Sequence, residues 1–317
     1  MRWIVTGGAG YIGAHVVALL RGRGDEVTVL DDLSTGQAHR VGDARLVRCD
    51  LKDRAATRAA FVAARPDAVI HFAAKKQVGE SVTEPLLYYH ENVGGLVSVL
   101  EAMRASECGR IVFSSSAATY GVPAVEIVDE ETPCAPINPY GATKLIGEWL
   151  LADAAKAYGL STVALRYFNV AGADEARKLA DPFALNLVPI VLAAHAAGQP
   201  VRVFGTDWAT RDGTCVRDYI HVMDLAEAHL AAAERIDGAA RGRVYNVGCG
   251  RGFTVLEVIA AAERVLGQSI ARVNAPRRAG DPPALVARAD RIERELGWKA
   301  TRTSIDEIVG SAVRARG

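Results

Sequence analysis

Short, uninterrupted apolar runs alternate with longer helical segments through the first half of this chain, and no other feature constrains its fold so strongly. Trp3–Thr6, Val27–Leu30, Leu46–Cys49, Val69–Phe72, Ile111–Ser114 and Val163–Tyr167 read as strands. Most lack apolar–polar alternation, the pattern of strands covered on both faces by helices. Between them, Ile12–Arg23, Asp53–Ala64, Pro85–Ala105 and Tyr140–Tyr158 carry helical patterning. Parallel strands joined through helices need right-handed crossovers. The expected fold is therefore α/β, a Rossmann-type doubly wound parallel sheet. After Gly172 the alternation loosens. Polar or Pro/Gly-rich loops at Glu175–Asn186, Phe204–Val216 and Ala275–Ala284 separate helices such as Leu187–Ala197 and Leu225–Glu234. We expect a nucleotide-binding domain over residues 1–172 and a smaller, mainly substrate-binding α/β domain over 173–317, with some segments returning to the first.

Composition narrows the partners. Lys+Arg and Asp+Glu balance at 37 each, which gives no overall pull toward nucleic acid or an anionic membrane. No stretch of 18 uninterrupted apolar residues occurs, so no membrane span is expected. The N-terminus meets its first glycines too soon for a signal peptide. Five dispersed cysteines without a CxxC pair argue against a disulfide framework or a cysteine zinc site. A reducing, cytoplasmic setting is expected. His15, His71 and His221 lack metal-ligand spacing and read as structural, so no metal is expected.

Three motifs carry chemistry. The first strand runs into Gly7-Gly8-Ala9-Gly10-Tyr11-Ile12-Gly13 and then a helix, a turn whose backbone can approach a pyrophosphate at a helix N-terminus. A plain tight turn would look similar. Asp31 and Asp32, at the end of the next strand, can bond adenosine ribose hydroxyls and repel a 2′-phosphate, favouring NAD over NADP. Asp50-Leu51 closes the third strand, where adenine would lie. The second motif is Tyr140-Gly-Ala-Thr-Lys144, which puts a phenol and an ammonium on one helix face. A free tyrosine, with a pKa of ~10, is a poor base at neutral pH. A nearby lysine and a positive nicotinamide ring both favour the phenolate. The third is Ser114-Ser115-Ser116, closing a strand at the carboxyl edge of the sheet, where open α/β folds bind ligands.

Taken together, and with the strings GGAGYIGAH (7–15), DDLSTG (31–36), HFAAKKQVGESV (71–82), FSSSAATYG (113–121), NPYGATK (138–144), LRYFNVAGA (165–173), DGTCVRDYIHVMDLA (212–226) and APRRAGDPPA (275–284), the sequence resembles the UDP-galactose (UDP-glucose) 4-epimerase family of the extended short-chain dehydrogenase/reductase superfamily. The resemblance runs from residue 1 to about residue 310. It implies a catalytic group of Ser116, Tyr140 and Lys144, with proton removal from the sugar 4-hydroxyl and hydride exchange with tightly held NAD. It implies cofactor contacts at Gly7, Gly10, Tyr11, Ile12, Gly13, Asp31, Asp32, Ser34, Asp50, Leu51, Phe72, Ala73, Ala74, Lys76, Asn92, Ser114, Tyr140, Lys144 and Tyr167. UDP-sugar contacts are implied at Ser116, Asn169, Asn186, Leu187, Phe204, Arg217, Tyr219, Arg278, Asp281 and Leu285. A homodimer through Pro85–Ala105 and Tyr140–Tyr158 is implied as well.

The loop after Gly172 is shorter and more charged than the family's glycine-rich stretch. Leu285 stands where a large tyrosine goes with rejection of N-acetylated sugars in the family and a small residue with acceptance, and leucine lies between. Other UDP-sugars, such as N-acetylhexosamines, pentoses and uronates, stay open because the C4 chemistry is shared. A 4,6-dehydratase needs an acid beside the strand-end hydroxyl, where this chain has Ala117 and Ala118. A net-oxidising dehydrogenase would release free NADH. A non-catalytic NAD sensor would have no use for hydroxyl, phenol and ammonium together.

Overall fold

The computed structural model describes residues 1–183, 185–236, 242–278 and 280–316. The chain runs through β1 (Arg2–Thr6), α1 (Tyr11–Gly22), β2 (Glu26–Asp31), β3 (Arg45–Arg48), α2 (Arg54–Ala64), β4 (Ala68–His71), α3 (Val78–Thr83), α4 (Pro85–Tyr88) and α5 (Gly95–Ala105). It continues through β5 (Arg110–Ser116), β6 (Ile127–Val128), α6 (Pro139–Tyr158), β7 (Ser161–Tyr167), β8 (Asn169–Ala171), α7 (Leu187–Ala196), β9 (Val201–Phe204), β10 (Val216–His221) and α8 (Val222–Arg235). It ends with β11 (Arg243–Val247), β12 (Gly252–Thr254), α9 (Val255–Leu266), β13 (Arg272–Ala275), β14 (Ala284–Ala287), α10 (Asp290–Leu296) and α11 (Ile305–Arg314).

The large sheet is parallel throughout, in the order β11-β7-β5-β4-β1-β2-β3. β1 and β4 are neighbours although the chain leaves β1 toward β2. The strand order therefore reverses between them, and a cleft opens beyond their carboxyl ends. One apolar cluster covers the face packed by α1, α8 and α10. A second covers the face of α2, α5 and α6. A smaller sheet runs β12-β10-β14-β6, with β8 also pairing with β10, and β13 pairs with β9. Helices α7, α9 and α11 share the third cluster with Tyr219 of β10 and Phe253 of β12.

The two sheets exchange segments. β6, which lies between β5 and α6 in the chain, pairs with β14 of the small sheet. β11 returns in the other direction and forms the edge of the large sheet beside β7. Local chemistry fixes the helix that matters most here. Asn138 caps α6 by accepting from the Gly141 N–H at 2.9 Å, Pro139 takes the first turn, and Gly159 ends the helix at φ +72°.

The single helix expected over Pro85–Ala105 is instead interrupted. Tyr89–Gly94 winds as a π-helical turn between α4 and α5. Asn92, inside that turn, accepts from the Lys75 N–H at 2.7 Å and donates to the Lys75 carbonyl and to Thr143 Oγ1, both at 3.0 Å. The wider turn is held by these bonds to the strand-end loop and to α6. π turns of this kind concentrate at functional sites. Among the described residues, no helix is long and apolar enough to cross a membrane.

Candidate active site

The glycine turn after β1 lies at the mouth of the cleft. Gly7 adopts φ +67°, and a Cβ there would stand 2.6 Å from the Ala73 nitrogen. A Cβ on Gly13 would stand 2.3 Å from the Gly7 carbonyl oxygen, so helix and turn touch backbone to backbone. Gly10 is the N-cap of α1 and offers no side-chain cap, which leaves first-turn amides such as those of Tyr11 and Ile12 without an internal partner. A Cβ on Gly10 would meet only the Gly7 carbonyl, at 3.2 Å, so the space in front of the helix is open. This uncapped cradle fits a pyrophosphate. The Tyr11 phenol points elsewhere and donates to the Gly172 carbonyl at 2.6 Å.

Asp31 accepts from the Ala9 N–H at 3.0 Å and the Leu33 N–H at 2.9 Å, while burial raises its pKa. Its first task is to clamp the loop after β2 to the glycine turn. Asp32 accepts from the Ser34 hydroxyl and N–H at 2.7 and 2.9 Å. Asp50 is exposed and Leu51 buried at the end of β3. Across the cleft, Phe72, Ala73 and Ala74 are half-buried after β4, and Lys76 is exposed. Asn92, expected to line the cofactor channel, is buried within the π turn. Both of its amide hydrogens are used within the fold, so a ligand could reach only a spare lone pair of Oδ1.

At the end of β5 and the start of α6, the phenol, hydroxyl and ammonium come together. Ser116 Oγ accepts from the Ala118 N–H at 3.1 Å, which leaves its own hydrogen free to donate. It faces Tyr140, whose pKa burial raises against the opposing effect of the Ser116 hydroxyl. Tyr88 packs edge-on against the Tyr140 ring, with centroids 6.5 Å apart. Lys144 is only 3% exposed, lies 5.9 Å from the centre of the Tyr140 ring, and donates to the Ser114 carbonyl at 2.7 Å. Burial pulls its pKa down to about 7, with Glu148 opposing. Tyr167, at the end of β7, is also kept as the neutral phenol by burial.

The opposite wall comes from the small sheet and its loops. Asn169 in β8 stands beside Tyr219 of β10 in register. Arg217 Nη2 lies 3.3 Å from Asp281 Oδ1, and the Arg278 guanidinium lies 3.9 Å from the centre of the Phe204 ring. Leu285 pairs with Arg217 across β10 and β14, and its side chain packs with Ala117, Tyr120 and Phe168. Asn186 precedes Leu187 at the start of α7, but its amide is turned onto Asp181 Oδ2 at 3.2 Å. Among the described residues, no group of three or more His, Cys, Asp or Glu side chains is placed to hold a metal ion.

Motif reasoning missed several neighbours of this site. Glu148 accepts from Ser115 Oγ at 2.5 Å and from Arg166 Nε and Nη2 at 2.9 and 2.6 Å, in a buried ion pair. Arg166 also donates to the Tyr120 hydroxyl at 3.1 Å. His229 of α8 meets Ser114 Oγ at 2.9 Å. The helical offset of four between Lys144 and Glu148 was the one available signal.

Such an arrangement joins a dinucleotide-binding α/β fold to a buried cluster of phenol, hydroxyl and ammonium. The model of the NAD dependent epimerase/dehydratase family matches residues 3–248, and the chain belongs to that family. The UDP-glucose 4-epimerase of Halalkalibacterium halodurans is 44% identical over 98% of this chain and 94% of its own length. UDP-glucose 4-epimerase 4 of rice, Oryza sativa subsp. japonica, is 45% identical over 96% of this chain and 87% of its own. Among solved structures, UDP-glucose 4-epimerase from Brucella ovis in complex with NAD superposes with a TM-score of 0.94 at 44% identity, covering 99% of this chain and 98% of that one. The enzyme from Bifidobacterium longum in complex with NAD+ and UDP gives a TM-score of 0.92 at 40% identity, covering 99% and 97%.

Proposed function

We propose that this chain is an NAD-dependent isomerase, a UDP-glucose 4-epimerase that interconverts UDP-glucose and UDP-galactose. The observation that carries the reading is the buried meeting of Ser116, Tyr140 and Lys144 at the carboxyl end of β5, next to which Leu285 of the small sheet packs on Ala117 and Tyr120. Relatives of 42–45% identity carry the same activity in their names.

Residues 1–172 hold NAD and residues 173–317 mainly hold the UDP-sugar, with α8 and β11 packed on the large sheet. The glycine turn and the first turn of α1 receive the pyrophosphate, and Asp31 and Asp32 face the adenosine ribose. Asn169, Leu187, Phe204, Arg217, Tyr219, Arg278 and Asp281 hold the nucleotide. Arginine suits a diphosphate because its planar fork binds two oxygens and its charge does not titrate near neutrality. What NAD supplies when bound is reversible hydride exchange at sugar C4. Ser116 donates its free hydrogen to the 4-oxygen and orients it. Tyr140 takes the proton from that oxygen and later returns it. Lys144 favours the phenolate whenever it carries its proton.

Purified protein is incubated with UDP-galactose and no added NAD, then again with NAD, with UDP-N-acetylgalactosamine in parallel. Formation of UDP-glucose is expected. No product under either condition overturns the reading, and product confined to the N-acetylated sugar replaces its substrate.

The five unpaired cysteines support a reducing, cytoplasmic setting. A homodimer through α4, α5 and α6 is supported by large apolar side chains in solvent, with Leu86 75% and Trp149 59% exposed. Sedimentation at micromolar concentration then reads about twice 33.7 kDa, and a mass near 33.7 kDa overturns the dimer.

A further inference from the structure

His229 is fully buried on α8, and the chemistry above makes no use of it. Its Nδ1 lies 2.8 Å from the Leu225 carbonyl oxygen, which can only accept, so Nδ1 carries the imidazole proton. Nε2 is then a bare acceptor, 2.9 Å from Ser114 Oγ, and the Ser114 hydroxyl must donate to it. Burial holds the imidazole neutral, with its pKa near 4. A serine hydroxyl has one hydrogen. With that hydrogen committed to His229, Ser114 Oγ can only accept from any further partner. The carbonyl of the same serine receives Lys144 at 2.7 Å, and the Phe72 ring packs on the imidazole with centroids 4.6 Å apart. One side chain thus governs the polarity of Ser114 and touches two elements of the cleft wall.

We infer that His229 is a positioning residue for the nicotinamide end of the site, a tautomer-locked acceptor that fixes the direction of the Ser114 hydroxyl and steadies the strand end whose carbonyl receives Lys144. This rests on the NAD-binding part of the proposed function and not on the identity of the sugar. UDP-galactose turnover is therefore not the readout, and failure of the epimerase reading would appear separately in its own assay.

The test has two parts. In the NAD-loaded wild type, long-range proton–nitrogen NMR reads the His229 tautomer, and the Nδ1–H form is expected. An Nε2–H form overturns the inference and requires no variant. The second part follows the rate of NAD loss on gel filtration for His229→Gln, His229→Phe, Ser114→Ala and the double variant His229→Phe/Ser114→Ala. Glutamine keeps an acceptor oxygen, whereas phenylalanine fills the space without one. His229→Phe is expected to speed NAD loss about tenfold, the scale of one buried hydrogen bond, and His229→Gln by no more than about threefold. In the Ser114→Ala background, His229→Phe adds nothing, because the hydroxyl it orients is gone. A packing role predicts the reverse order, with phenylalanine the better replacement. Equal damage from both substitutions, or costs that add in the double variant, overturns the inference.

Discussion

Lowering the pH from 7 to 5 is expected to destabilise this protein steeply, because the fold is built around neutral imidazoles. His15, His221 and His229 have pKa values pulled down to about 4, and His71 to about 3, all chiefly by burial. The bonding agrees. His15 Nε2 accepts from the Asp174 N–H, and His221 Nδ1 accepts from the Met223 N–H. Protonating either nitrogen would set donor against donor. The unfolded chain titrates these groups near 6.5, so between pH 6 and 5 it binds about four protons that the fold does not. Asp218 acts oppositely, because burial raises its pKa to about 6 and the fold takes up a proton there before the unfolded chain does. Lys144, at about 7, is protonated in both states across this window. A net difference of roughly three protons makes stability fall as pH falls, by about 4 kcal/mol per pH unit. Integrated from pH 7 to 5 the loss is about 6 kcal/mol, which against typical stabilities of about 5–15 kcal/mol places cooperative acid unfolding at or below pH 5. Proton uptake on urea unfolding at pH 5.5, read by potentiometry, should be two to four per chain (about three by the linkage above). Uptake below one proton, or a urea midpoint that stays level from pH 6.5 to 5, refutes the reasoning.

Other perturbations test the site directly. Tyr140→Phe should keep bound NAD yet lose about 10²–10⁴-fold in turnover, the range for losing a general acid–base group. Steady-state assay beside a measurement of NAD content separates the two effects. Gly13→Ala forces a Cβ to 2.3 Å from the Gly7 carbonyl, where backbone cannot yield, so the purified variant should carry little or no NAD. Wild-type NAD content would refute that packing argument. Glu148→Gln leaves the buried Arg166 guanidinium without its charge partner and should cost about 3–5 kcal/mol in urea unfolding. A loss below about 1 kcal/mol would mean the pair is not dry.

The parts of this molecule that were legible in the sequence are those whose requirements are local. The turn from Gly7 to Gly13 announces itself because only glycine fits where backbone meets backbone. Strands such as β4 declare burial on both faces through continuous apolar runs. Tyr140 and Lys144 share a face by helical arithmetic alone. The π turn at Tyr89–Gly94 stayed hidden because apolar spacing along a helix does not reveal whether bonds run to the fourth or the fifth residue. β6 is only two residues long, too short to show alternation, so its crossing to the small sheet had no signal. His229 meets Ser114 across 115 residues of chain, and nothing in a helical segment of alanines marks one histidine as facing the site.

The serine run at the end of β5 shows how local pattern and distant partner combine. A serine-rich stretch there could have been a loop satisfying its own backbone. As a strand it must send successive side chains to opposite faces. Ser114 accordingly meets His229 of α8 on one face, and Ser115 meets Glu148 of α6 on the other. The strand end is therefore clamped from both covering layers just before Ser116. On the α6 side the clamp extends through Arg166 to the Tyr120 hydroxyl, on to Asn246 of β11, and from the Asn246 amide to the Val128 carbonyl of β6. A buried ion pair such as Glu148–Arg166 contributes little net stability, since desolvation offsets most of its Coulomb attraction. What it supplies here is geometry. It joins the strand that carries Ser116, the helix that carries Tyr140 and Lys144, and the β6 segment that pairs with the small sheet, so the hydroxyl, the phenol and the opposite wall are held in one frame.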